Sequence, residues 1–335
     1  MLLQSPRINR RGLLKLGAAA GVATAMGPSA FAQGAFPSRN FNVVIATGQG
    51  GGAETTARAQ VQVLREYLGV DFEFEFHPGA GGQVGYELYT HRRDRDGYNV
   101  MYSNMHPEII TFAVQNTNYD LPGDVTHFAK SNGSPIVIYV GADSPLQTIE
   151  DLVELGQSRT VTMATSRLPH PGSIGVLALG EATGVDFNLI PFGGGNPTSM
   201  AAITGETDAA VLTAGVALSL GDQVRVLGHF RNMPSLAGQM TAPLINDVFG
   251  TDIPELELSS GWAVHTEIWE NMPEFREVFK GAIRRSFDDP KLRESFEAVN
   301  YPWETVEFGD FEECQQIVQD TIALARRYAD LLRSG

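Results

Sequence analysis

An α/β fold of two similar lobes is predicted by three features of the sequence. Apolar runs rich in β-branched and aromatic residues alternate with runs of helical period. Each strand–helix unit is short, which suits two lobes better than one large barrel. Glycine clusters recur where a strand-like run gives way to a helix-like one.

The elements follow in order. FNVVIAT (41–47) is a continuous apolar run and reads as a strand. TTARAQVQVLREYL (55–68) has helical period. DFEFEF (71–76) alternates strictly and reads as a strand, QVGYELYTH (83–91) as a helix and NVMYS (99–103) as a strand. This β-α-β-α-β order implies a parallel sheet with helices on its faces. A second set begins with the strand 136–141 and the helix 148–157. The strand 160–165, helix 173–184, strand 187–192, helix 198–205 and strands 209–214 and 223–230 complete it. The tail, 273–299 and 311–332, reads as long amphipathic helices with apolar residues near i, i+3, i+4 and i+7, predicted to pack back on the first lobe. The division expected is lobe 1 over 33–135 plus 259–335 and lobe 2 over 136–258.

The first 32 residues stand outside this scheme. Arg7, Arg10, Arg11 and Lys15 precede and enter an apolar run, and Ala30-Phe31-Ala32 is a small-x-small cleavage site. This is an export signal cut between Ala32 and Gln33. The adjacent Arg10 and Arg11 in NRRGLLK suit the twin-arginine (Tat) route. The run is too short to span a bilayer, so a periplasmic protein is expected.

Lys and Arg number 24 against 39 Asp and Glu, a formal net charge of −15, which becomes −19 without the four basic residues of the signal. Such a field argues against nucleic acid and anionic membranes as partners. It leaves room for an anionic ligand held by local backbone dipoles within the screening length. The single cysteine, Cys314, allows no internal disulfide and lies in a helical run, where a buried inert thiol is expected. Nothing in the chain asks for an obligate assembly, and a monomer is expected.

The glycine clusters carry the functional signal: GQGGG (48–52), PGAGG (78–82) and GGG (193–195). In an open parallel sheet such turns lie at the carboxyl ends of the strands, where ligands bind. The free N–H groups and the dipole of the following helix favour an anion there. Two such turns side by side suffice for a carboxylate or phosphate without an arginine. Read literally, Gly48, Gly50 and Ala53 also satisfy G-x-G-x-x-A, and with Gly52 they would serve an NAD(P)-dependent oxidoreductase. That alternative needs an acidic residue at the end of the next strand. Glu73 and Glu75 lie inside their strand instead.

No catalytic set is legible. GSIG (172–175) is not a nucleophile elbow. The histidines at 77, 91, 106, 127, 170, 229 and 265 have no H-x-x-x-H spacing, so no metal or other cofactor is expected. His77 and His170, each before Pro-Gly, read as loop residues. No enzymatic activity is expected.

Laid out in order, these pieces resemble the extracytoplasmic receptors of tripartite tricarboxylate transporters, the Bug or TctC type. VIATGQGGGAETTAR resembles the family's first-strand loop, and HPGAGGQVG its Pro-Gly-Ala-Gly-Gly-x-x-Gly loop. DRDGYNVMYSN, NYDLPGDVTHFAKS, QVRVLGHF and the tail around SFDDPKLRESFEAV also fit. The resemblance implies a two-lobed periplasmic binding protein of type II form. It would close on a small organic anion, a mono- or dicarboxylate, and deliver it to membrane permease subunits. It implies a first carboxylate near Thr47, Gly50, Gly51, Gly52, Glu54 and Thr55 and near Gly79, Ala80, Gly81 and Gly82, with Ser103 and Asn104 on the same lobe. From the second lobe it implies Ser166, Ser173, Phe192, Gly193 and Asp208. Ala46-Thr47 stands where the family has Pro-Phe, so a small hydroxyl-bearing wall replaces an aromatic one. Phe76-His77 stands for Asn-Arg, Val176 for a histidine, and Phe192-Gly193 for Tyr-Lys.

Overall fold

The computed structural model describes residues 36–333; the export signal expected over residues 1–32 lies outside them. Strand β1 (Phe41–Ile45), helix α1 (Gly52–Leu68), β2 (Phe72–Phe76), α2 (Gln83–Arg92), β3 (Asn99–Asn104) and α3 (Met105–Val114) open the first lobe. β1 pairs in parallel with both β2 and β3, as the alternating order requires. Gly69 ends α1 with φ +69°, a left-handed cap that an L side chain would strain.

β4 (Val125–Gly141) then runs through both lobes. Its first half pairs antiparallel with β9 (Glu257–His265), which continues onto β3. Its second half pairs with β7 (Ala209–Thr213) and β8 (Val224–His229). The switch comes between Pro135, opposite Glu257, and Ile136, opposite Thr213. Lobe 2 adds α4 (Ile149–Ser158), β5 (Val161–Thr165), α5 (Pro171–Thr183), β6 (Phe187–Pro191), α6 (Gly195–Ile203) and α7 (Ala214–Leu220), with β5 parallel to β6 and β7. The strand order is β2-β1-β3-β9-β4-β7-β5-β6, with β8 also on β4.

Each lobe has its own core. In lobe 1, Phe41, Trp262, Phe275 and Phe279 are fully buried against the sheet, each aromatic contributing about 1.5–3 kcal/mol by leaving water. Trp262 Nε1 and Ser131 Oγ both donate to Gln60 Oε1, at 2.8 and 2.7 Å, which satisfies these two donors at the polar edge of the core, while Gln60 Nε2 has no partner among the described residues. In lobe 2, Ile138, Val161, Met163, Leu179 and Val211 form the centre.

The first tail segment, 273–299, departs from the long helix expected there. Short helices α8 (Ile245–Phe249) and α9 (Thr266–Asn271) precede it. α10 (Pro273–Phe275) runs through a π turn (Arg276–Lys280) into α11 (Gly281–Ser286). Pro290 then starts α12 (Pro290–Glu297) afresh, with the Asp289 carboxylate accepting from the Lys291 N–H. α13 (Phe311–Arg327) packs on lobe 1 against α3 and β4, as expected for the tail. Its end and α14 (Ala329–Arg333) reach farther. Ala325, Tyr328 and Leu332 join the lobe 2 core, and Tyr328 Oη donates to Glu181 Oε2 at 3.3 Å. No helix among the described residues is long and apolar enough to cross a membrane.

Candidate functional site

The carboxyl ends of the parallel strands in the two lobes face one another. The contact that places them runs from Arg167, in the turn after β5, to Gly81, in the turn after β2. Arg167 Nη1 donates to the Gly81 carbonyl oxygen at 3.1 Å. The candidate site is the cleft between these turns.

In the turn after β1, one amide is already taken. Glu54 Oε2 accepts from the Gly50 N–H at 2.6 Å, and Arg58 Nε donates to Glu54 Oε1 at 2.7 Å. Glu54 is 7% exposed and lies at the amino end of α1, where an anion is favoured. Expected as ligand contacts, Gly50 and Glu54 instead contact each other. A pyrophosphate brought to this turn would meet that carboxylate, so the geometry does not suit a dinucleotide. Glu75, a candidate ribose partner, is held by Asn42, His77 and Arg93. The N–H groups of Gly51 and Gly52 have no acceptor among the described residues. Thr55 Oγ1 donates to the Gly51 carbonyl at 3.2 Å, and the Thr47 hydroxyl is buried without a partner among the described residues.

The turn after β2 offers more. The N–H groups of Gly79, Ala80 and Gly81 have no acceptor among the described residues, and all three residues have positive φ. Gly81 has to lack a side chain, since at φ +67° a Cβ would sit 2.6 Å from Thr111 Oγ1. The same holds at Gly82, where a Cβ would sit 2.8 Å from Glu108 Cγ.

Beneath this turn lies a buried polar group that no sequence pattern announced. Glu108 is 1% exposed. Its Oε1 accepts from the Asn104 N–H at 3.3 Å, while Oε2 has no partner among the described residues. Burial pushes its carboxyl up to about 7, against the pull of Arg167. Ser103, expected at the ligand, is fully buried and meets His127 Nε2 at 3.1 Å, where Tyr86 Oη also sits at 3.0 Å. Burial lowers His127 to about 4, so this ring is neutral. Asn104 Oδ1 accepts from Ser260 Oγ at 3.1 Å.

In lobe 2 the Phe192 N–H donates to the Thr165 carbonyl at 2.9 Å and the Gly193 N–H to the Ser166 carbonyl at 3.0 Å, so both amides are engaged. The Phe192 ring packs on the lobe 2 core beside Val137 and Tyr139. Ser173 is buried, and its hydroxyl donates to the Arg167 carbonyl at 3.2 Å. It positions the arginine turn rather than lining open space.

Asp208 is a correction. It stands at the amino end of β7, the end of the lobe 2 sheet away from the cleft. Both Arg159 Nη atoms donate to it, at 2.8 and 2.6 Å, and so does the Thr162 N–H, at 2.9 Å. The hydrogen-bonded Arg159 leads in holding the Asp208 carboxyl down to about 2. Held by Arg159 and Thr162, its carboxylate ties together the amino ends of β5 and β7.

Two imidazoles, His170 beside the arginine and His106 beside His170, are fixed in form. His170 Nδ1 accepts from the Gly172 N–H at 3.0 Å and caps α5, and His106 Nδ1 accepts from the Ser259 N–H at 3.1 Å. Burial lowers His170 to about 3 and His106 to about 4. Each is neutral, with its proton assigned to Nε2 by the bond at Nδ1. His77, in contrast, pairs with Glu75 at 3.0 Å.

Sequence reasoning missed Arg167, Glu108 and His106. Arg167 alone left a trace: a lone basic residue in a Pro- and Gly-rich turn at a strand's carboxyl end. Two shallow hollows elsewhere, one beside α4 and one beside Arg39 and Asn42, gather no such convergent groups. Among the described residues no three His, Cys, Asp or Glu side chains cluster as metal ligands would.

A profile of the tripartite tricarboxylate transporter family receptor matches residues 56–327. A UPF0065 protein of Bordetella bronchiseptica is 30% identical over 139 residues, 41% of this chain and 41% of that protein. The match thus spans less than half of that curated relative. Among solved structures, Rpa4515 of R. palustris with adipate has a TM-score of 0.75 at 18% identity, covering 89% of this chain and 98% of that one. MatC of Rhodopseudomonas palustris with bound malate has a TM-score of 0.72 at 19% identity, covering 88% and 100%. At these identities the two structures speak to the two-lobed fold, while the profile spans both lobes. The chain belongs to the tripartite tricarboxylate transporter receptor family.

Proposed function

We propose that this protein is a periplasmic solute receptor. It binds a small organic acid, a mono- or dicarboxylate, between its lobes and hands it to the membrane subunits of a tripartite transporter. The observation that carries the reading is the turn after β2. Three adjacent N–H groups, Gly79 to Gly81, lack acceptors among the described residues at the mouth of α2, in a turn that Arg167 of the second lobe touches. A carboxylate there accepts charge-assisted hydrogen bonds, roughly twice as strong as neutral ones. The relatives solved with adipate and malate bind acids of this class. Binding closes the lobes about β4 and β9, a hinge motion.

A thermal-shift screen of the mature protein against C3 to C6 organic acids and against NAD(H) tests this. Stabilisation by at least one acid is expected, rising with its concentration as mass action requires. Stabilisation by the dinucleotide alone, or by no acid, would overturn the reading.

A further inference from the structure

Arg167 is a cation without a counter-anion in a cleft suited to anions. No acidic side chain among the described residues lies within 4.0 Å of its guanidinium, although sixteen other ion pairs are formed. Its backbone is fixed, because Thr165 Oγ1 and Ser173 Oγ both donate to its carbonyl, at 3.1 and 3.2 Å. The side chain crosses the cleft, yet its one hydrogen bond among the described residues goes to a neutral acceptor, the Gly81 carbonyl. A guanidinium carries five N–H donors in a fork matched to a carboxylate. The nearest acid, Glu108, is poorly placed to neutralise it. Glu108 is tied to the Asn104 N–H beneath Gly82, and burial keeps it partly protonated near pH 7.

The two sides of the cleft therefore differ. Lobe 1 offers amides, which hold a carboxylate wherever one end of a ligand is acidic. Lobe 2 offers a full positive charge at the other end. We propose that Arg167 receives a second carboxylate, which makes this receptor selective for dicarboxylates over monocarboxylates of the same length. This assignment rests on the reading of the protein as a carboxylate receptor. The ligand's far carboxylate takes the N–H fork that the Gly81 carbonyl leaves open, and the bond so formed spans the lobes. Ser173 acts through Arg167 as a positioning residue.

Isothermal titration of the mature protein with succinate and adipate, against butyrate and hexanoate, decides the matter. Wild type is expected to prefer each diacid by at least about tenfold. Arg167→Gln should lower diacid affinity about a hundredfold, as loss of one partner from a desolvated charge pair does, and lower monoacid affinity much less. Arg167→Lys should recover part of the diacid affinity through charge without the fork. Circular dichroism and the melting temperature of both variants check the fold. Equal affinity of wild type for mono- and diacids would overturn the assignment, as would an Arg167→Gln variant that loses both classes alike or neither. Absence of binding of either class to wild type would sink the parent reading along with this one.

Discussion

Glu108 is a carboxyl placed where a charge is unwelcome. At 1% exposure, with one oxygen unpartnered among the described residues, its proton is retained to about pH 7, against an ordinary 4.5. The sign is the reverse of a salt-bridged acid. Between pH 4.5 and 7 the folded state holds a proton that the unfolded state has released, so stability falls as pH rises through this window. The penalty is absent below the unfolded pKa and complete above pH 7, at about 3 kcal/mol for a shift of this size. Glu108→Gln keeps the shape and the acceptor for the Asn104 N–H but never ionises. Urea unfolding should find the variant more stable than wild type at pH 8, with the difference closing toward pH 5. A constant difference across that range would mean that Glu108 is already ionised in the fold.

The elements that the sequence made legible are those whose own pattern matches their surroundings. β1 is apolar but for Asn42 because both faces of a parallel sheet are covered, and α1 shows its period because one stripe meets that sheet. The first half of β4 had no such signature. Thr126, Lys130, Ser131, Asn132 and Ser134 are all buried there, by pairing and ion contacts supplied from β9 and the tail, which a local window cannot contain. The glycine turn after β2 was legible because positive φ demands glycine, whereas Arg167 belongs to no repeat. Asp208 came only from position in the resemblance, and position along the chain does not tell one end of a strand from the other. At the legible turn the consequence is direct. Gly81→Val must adopt φ +67° and displace Thr111 Oγ1 from 2.6 Å, a strain of about 1–3 kcal/mol. The turn should relax by turning its amides out of the cleft. Calorimetry is expected to find organic-acid affinity lowered about a hundredfold or more, in a protein that still melts cooperatively. Unimpaired binding would place the ligand elsewhere.

At the scale of the whole molecule, the lobes are joined where β4 changes partners, and an ion cluster sits at that join. Lys130 on β4, 3% exposed, has its Nζ 2.7 Å from Glu307, 2.5 Å from Glu313 and 3.7 Å from Glu257. Arg231, which follows the last strand of lobe 2, pairs with Glu257 and lies 3.8 Å from Glu307. The cluster thus ties the start of β9 and the tail to lobe 2. Burial pushes the Glu257 carboxyl up, but Lys130 and with it Arg231 outweigh burial and hold it below its ordinary range. A depressed acid stabilises the fold above its unfolded pKa and loses that contribution as pH falls through the folded one. Lys130→Met removes the central cation and leaves Glu257 with burial and one arginine. Breaking a buried pair from one side costs about 3–5 kcal/mol, and the deficit exists only while Glu257 is charged. Urea unfolding at pH 7.5 should therefore find the variant less stable by about that amount, and at pH 5, where Glu257 takes up a proton in the variant, the gap should narrow. If the gap is the same at both pH values, the loss is one of packing, and the cluster does not hold the hinge by charge.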